Sequence, residues 1–191
     1  MEIKTSTVDW SKSEIMERAR QLGYKYLQET YYCPQATLAA LQDVFRVKDD
    51  NIFKACFGFH GGGGDSCDGD CGALVGGIIM INYFFGRIRT EFDLRIENCQ
   101  ATGMVKRLHE CFEEEYGGVR CRDVHRKVFG REFNLWDEED HKTFLKMGGL
   151  TEKCPEVVGR GAAWAAGIIW DQFHREDRNT TIWDQLHRGQ K

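Results

Sequence analysis

Cys71-Gly72-Ala73-Leu74-Val75-Gly76-Gly77-Ile78-Ile79-Met80 is the stretch on which the fold turns. It is almost wholly apolar, and the apolar character persists to Phe85 with Asn82 as the main interruption. Val75, Ile78, Ile79 and Ile81 are β-branched and suit a buried strand, but the run outlasts the roughly 4–8 residues of an ordinary strand. It also falls short of the roughly 20 residues that a membrane-spanning helix requires. A buried central helix satisfies both limits, and Gly76 and Gly77 offer a neighbouring helix a close approach.

Upstream, Gly58-Phe59-His60-Gly61-Gly62-Gly63-Gly64-Asp65-Ser66-Cys67-Asp68-Gly69-Asp70 is too rich in glycine for regular structure. Before it, Ser11 or Ser13 caps a first helix with Ile15, Ala19, Leu22 and Leu27 as its apolar stripe, ending near Tyr31. Cys33-Pro34 restarts the helix, because Pro at the first helical position lacks only an N–H that has no partner there anyway. Asp50 reads as the cap of a short segment over Ile52 to Phe57. Downstream, Met104 to Tyr116 has helical spacing and stops at Gly117-Gly118. Cys121 starts another helix, Asp137 caps a negatively charged first turn, and Cys154-Pro155 repeats the restart before Val157 to Phe173. The expectation is an all-α compact helical bundle, with a Gly/Cys-rich loop leading into a buried central helix. Residues 1–175 read as a single helical domain and 176–191 as a polar tail, in which Trp183 points to a docking partner.

The bulk properties agree. With 41% hydrophobic and 29% charged residues and 2 Pro in 191, the chain is that of a folding domain rather than a linker. A formal charge of -4 and a pI near 5.9 argue against nucleic acid, whose phosphates select clustered Lys and Arg. The start of the chain shows no basic, apolar export signal, which places the protein in the cytoplasm as a soluble chain without a membrane span. Eight cysteines in a reducing compartment favour metal or redox chemistry over structural disulfides.

Cys33, Cys71, Cys121 and Cys154 all fall at predicted helix starts. Unpaired N–H groups and the positive end of the helix dipole favour a thiolate there, the form that ligates metals and attacks disulfides. Cys67 and Cys71 form a close C-x-x-x-C pair. Cys56, Cys99 and Cys111 read as small buried hydrophobes. His60, in the same loop, is an ordinary loop histidine, a proton donor or a nitrogen ligand, whereas His109, His125 and His141 have less to recommend them. Asp65, Asp68 and Asp70 lack the later Glu of a calcium loop, and the glycines lack the G-K-[ST] of a phosphate loop.

Four blocks carry a resemblance: Cys33-Pro34-Gln35-Ala36; Phe57-Gly58-Phe59 through the glycines to Cys71-Gly72-Ala73-Leu74-Val75-Gly76; Tyr116-Gly117-Gly118-Val119-Arg120-Cys121-Arg122-Asp123; and Cys154-Pro155-Glu156-Val157-Val158. In order and rough spacing they resemble the C-GCAxxG-C-C family of redox-active proteins. The resemblance implies a helical cysteine-cluster protein of anaerobic metabolism, with Cys33, Cys71, Cys121 and Cys154 as cofactor and metal ligands. A related domain lies beside haem in split-Soret cytochromes that carry an iron–sulfur centre. Two features depart from the pattern: the G-C-A block reads Asp70-Cys71-Gly72-Ala73, and Cys67 is additional. No C-x-x-C-H is present, which excludes covalent c-type haem. Three functions stand on the sequence. The first is an iron–sulfur redox protein with a [4Fe–4S] or [2Fe–2S] cluster, passing electrons to a redox partner protein or activating a small substrate, with Cys67 or His60 as acid, base or exchangeable ligand if the chain is an enzyme. The second is a metal-free thiol oxidoreductase using Cys67 and Cys71; the third is a structural four-thiolate zinc protein. The apolar helices also leave room for a homodimer interface.

Overall fold

A computed structural model describes residues 10–174 and, among them, contains nine α-helices and no strand. The fold is all-α, as the periodicity predicts. Helix α1 (Lys12–Thr30) begins at Ser11, whose hydroxyl accepts from the Glu14 N–H while the Glu14 carboxylate accepts from the Ser11 N–H. This reciprocal capping satisfies two donors that the helix itself cannot. Tyr31 closes α1 in the left-handed conformation, and α2 (Cys33–Val44) follows at once, with Pro34 in its first turn.

The remaining helices are α3 (Asp50–Ala55), α4 (Gly72–Phe85), α5 (Arg89–Asp93), α6 (Cys99–Tyr116), α7 (Cys121–Phe129), α8 (Glu138–Lys146) and α9 (Cys154–Phe173). Three boundaries differ from the sequence reading. Asp49, not Asp50, caps α3, because its carboxylate accepts from both the Asn51 and Ile52 N–H groups. Helix α6 begins at Cys99, well before Met104, since the Asn98 side chain accepts from the Ala101 N–H and caps an additional turn. The glycine-rich loop opens with a short 3-10 turn over Phe57–Gly62 that is kinked at His60 and Gly61. Cys99 and Cys111, expected in the interior, are only partly buried; Cys56 is fully buried and its thiol donates to the Phe53 carbonyl at 3.1 Å.

Helices α4 and α9 form the centre. Leu74, Met80 and Ile81 of α4 and Ala162, Ala165, Ala166 and Ile169 of α9 are buried. Around them pack α1 with Ile15, Ala19 and Leu27, α2 with Leu38 and Leu41, and α6 with Met104, Leu108 and Phe112. Trp164 meets Phe112 edge-on, and the Trp170 indole donates to the Trp10 carbonyl at 3.1 Å. Residues 176–191, including Trp183, lie outside the described residues. Among the described residues, no helix is long and apolar enough to cross a membrane.

Small residues fix how closely these helices approach. A Cβ on Gly76 would come within 2.6 Å of the Pro34 carbonyl and 2.7 Å of the Thr37 Cβ, so α4 rests directly against the first turn of α2. Gly77 does the same toward Leu108 of α6 and Ala165 of α9. Because packed interiors yield little, overfilling such a contact costs about 1–3 kcal/mol. Gly76→Ala is therefore expected to lower unfolding stability by about that amount in urea denaturation. Gly58→Ala, where nothing lies within 4 Å, serves as the control and should shift stability by less than about 0.5 kcal/mol.

Candidate functional site

Cys33 opens α2, Cys71 caps α4, Cys121 opens α7 and Cys154 opens α9. Though far apart in sequence, all four line one cavity of about 210 Å³. Leu27, Val124, Phe144 and Val157 contribute apolar wall, and His60 and Asp65 contribute polar lining. Gly72 makes the convergence geometrically possible: a Cβ there would lie 2.3 Å from the Cys33 sulfur and 2.7 Å from Pro34 Cδ. The backbone N–H groups of Gly61 and Gly72 favour the thiolate form of Cys33, and those of Ala73 and Leu74 that of Cys71. The Ala73 and Leu74 groups belong to the first turn of α4 and have no partner within the helix.

The glycine-rich loop is tied by its backbone to the start of α7. The Cys71 N–H donates to Val119 O at 2.8 Å, Cys121 N–H to Gly69 O at 3.0 Å and Arg122 N–H to Cys67 O at 3.1 Å. Asp70 and Arg120 form an isolated antiparallel bridge within this ladder, and Arg122 pairs with Asp68. Gly62 sits at φ +75°, where a Cβ would press on Gly69 O and on Cys121 Cβ, so the loop can close over α7 only with glycine at this position.

The ladder sends Cys67 away from the four-cysteine cavity into a separate cleft shared with Ser66, Arg122 and Trp136. The thiol that Cys67 meets is that of Cys121, and with His125 these residues bring three ligand atoms within 4.8 Å of one another. It is the only such group among the described residues. His125 is 2% exposed; its Nε2 faces the Cys121 sulfur at 3.6 Å and its Nδ1 faces the Cys67 sulfur at 4.0 Å. Phe129, Phe133 and Phe144 surround the ring. His125 has little to recommend it in the sequence beyond Cys121-x-x-x-His125, which at the start of a helix places both side chains on one face.

His60 lies elsewhere. Its Nδ1 donates to the Phe57 carbonyl at 2.7 Å, and its Nε2 lies 3.5 Å from Asp65 Oδ2. The two residues read from the sequence as acid, base or exchangeable ligands thus occupy different surroundings, His60 in the four-cysteine cavity and Cys67 in the adjoining cleft.

Burial, not the helix dipole, governs the cavity thiols in the metal-free chain. Desolvation pushes Cys33 up to about 11 against the opposing N–H groups of Gly61 and Gly72, and pushes Cys71 up to about 12, with the Cys33 charge adding to it. Desolvation likewise raises Cys154, followed by the charges of Cys71 and Cys33. Cys67 and Cys121 share one proton. The Cys121 thiol donates to Cys67, lowering Cys67 with further help from His125 and raising Cys121. Position at a helix start therefore fixes where the cysteines sit but not their charge; without a compensating cation, the cavity holds thiols.

A family model described as putative redox-active protein (C_GCAxxG_C_C) matches residues 31–168, a span that takes in Cys33, Cys71, Cys121, Cys154 and the glycine-rich loop. No curated protein and no solved structure matches the chain. The match covers well over half of the 191 residues, and the chain belongs to this family of putative redox-active proteins.

Proposed function

We propose that the protein is an iron–sulfur redox protein in which Cys33, Cys71, Cys121 and Cys154 hold the cluster. The observation that carries this reading is the lining of one cavity by four cysteines drawn from four separate helix starts. The donor set fits: thiolates are the usual ligands of iron–sulfur clusters, and N–H groups aimed at sulfur, together with burial, tune their potential. The spacing also favours a polynuclear group. A single tetrahedral zinc would hold its sulfurs roughly 3.8 Å apart. No three of these four sulfurs come within 4.8 Å of one another, which argues against a structural zinc at this position. The buried Tyr116 hydroxyl, which feels the Cys71 charge, lacks a hydrogen-bond partner and is a donor suited to a negatively charged neighbour.

A cluster bound here would supply one-electron transfer at low dielectric. The chain's own part is to exclude water with Leu27, Val124, Phe144 and Val157, and to hold the Cys33 and Cys71 sulfurs against backbone N–H groups. His60, its Nδ1 proton fixed on Phe57 O, presents Nε2 beside Asp65 at the cavity, where it can hold a proton for a bound substrate. Cys67 meets the thiol of Cys121, and that contact does not favour a Cys67–Cys71 dithiol.

Anaerobic reconstitution followed by iron and sulfide analysis and visible spectroscopy tests the reading. Wild-type protein should be coloured and contain iron and acid-labile sulfide together. Cys154→Ser and Cys71→Ser should each lose most of the iron while retaining helical circular dichroism. A colourless, iron-free product from a strictly anaerobic preparation overturns the proposal.

Protonation adds a second expectation. Cluster ligands must lose their protons, so loading should release protons and weaken as pH falls. In the iron-free chain the sign reverses. Cys33 and Cys71 are raised on folding, so their stabilising protonation is intact below about 9 and is lost as pH climbs toward about 11 and 12. Thermal melting of iron-free protein should therefore fall more steeply with pH above about 9 in wild type than in Cys71→Ala.

A further inference from the structure

We propose that Cys67, Cys121 and His125 form a second metal site, for one thiophilic divalent ion of the zinc type, whose Cys121 sulfur is shared with the four-cysteine cluster. The sharing rests on the cluster reading above, whereas the three-residue site stands on its own geometry.

The three ligand atoms lie within 4.8 Å of one another, and all three residues are buried. At ordinary zinc–thiolate and zinc–imidazole bond lengths, a tetrahedral ion separates its sulfur and nitrogen ligands by roughly 3.6 Å. The Cys121 sulfur and His125 Nε2 are 3.6 Å apart. This second centre thus has the compact spacing of a single ion, which the four-cysteine cavity lacks.

The ring of His125 supplies an independent observation. Both of its nitrogens face sulfur, neither is hydrogen-bonded to an oxygen, and three phenylalanines wall off the rest. A buried imidazole whose polar neighbours are two cysteine sulfurs presents the mixed nitrogen-and-sulfur donor set that thiophilic divalent ions take. A borderline-soft cation would take one ring nitrogen together with both sulfurs, whose ligand atoms already lie within 4.8 Å of one another.

Cys67 is also held in place for this role. It occupies the left-handed region at φ 59°, uncommon for a residue with a side chain, and its own N–H and C=O are bound to Gly61 O and to the Arg122 N–H. That conformation turns its sulfur toward α7, while Cys121 and His125 also line the four-cysteine cavity. An ion held by these three residues would sit at the wall between that cavity and the cleft formed by Ser66, Arg122 and Trp136. Three protein ligands leave one coordination position for water or a small molecule, the arrangement of catalytic rather than structural zinc.

The test uses protein reconstituted with iron and sulfide, then given zinc, desalted and analysed for zinc, iron and sulfide, with zinc-edge X-ray absorption to count sulfur and nitrogen neighbours. Wild type should retain about one zinc per chain in a sulfur-and-nitrogen environment. Cys67→Ala and His125→Gln should each weaken zinc retention by roughly tenfold or more. Cys67→Ala should leave iron and sulfide unchanged, and it keeps the result readable should His125→Gln fail to fold. The site is overturned if wild type retains no zinc, if Cys67→Ala retains it fully, or if Cys67→Ala loses iron instead, which would make Cys67 a cluster ligand. Cys67-dependent zinc in a chain that never takes up iron would sustain the three-residue site while removing the cluster and the shared sulfur.

Discussion

The backbone ladder between residues 67–71 and 119–122 is the constraint on which the site depends. Its hydrogen bonds join the end of the glycine-rich loop to the start of α7. Without them, Cys67 and Cys71 would sit on a loop with many conformations, and Cys121 on a short helix with little core of its own. With them, three sulfurs from two distant segments are set by main-chain geometry. Gly62 is the point of closest approach, where any side chain would meet both Gly69 O and Cys121 Cβ. The loop's glycines therefore serve a steric purpose in this fold, allowing one backbone to lie on another.

The second half of the site is set by helix packing. Cys33 reaches the cavity because Gly72 has no side chain, and Cys154 reaches it because α9 runs through the centre of the bundle against α1, α2 and α4. Two kinds of interaction thus meet at one cavity: hydrogen-bonded loop closure for Cys71 and Cys121, and close helix contact for Cys33 and Cys154. Damage to the core and damage to the loop should both register at the sulfurs, since packed interiors transmit displacements rather than absorb them.

What the sequence revealed and what it concealed follow from range. The helices, the caps at Ser11 and Asp137, the restarts at Cys33-Pro34 and Cys154-Pro155, and the buried α4 are encoded within a few residues and were legible. So was the position of each cavity cysteine at a helix start. Their protonation was not legible, because the helix-end effect is local while desolvation depends on which distant walls close around the sulfur. His125 was missed for the same reason. Its i,i+4 relation to Cys121 was present in the sequence, but only the loop ladder that delivers Cys67 makes it more than a core histidine.

Cys67 and His125 bear on how the chain should be compared with its family. The resemblance to the family rests on blocks that contain Cys33, Cys71, Cys121 and Cys154, and these four face one cavity. Cys67 is additional to these four, and the structure directs it to the far end of the Cys121 side chain rather than into the cavity. A further cysteine beside four others would be a hazard if it competed with them for a bound metal centre. Turning it away through a left-handed backbone, and pairing it with a buried imidazole, separates its chemistry from that of the other four while leaving it one sulfur away from them.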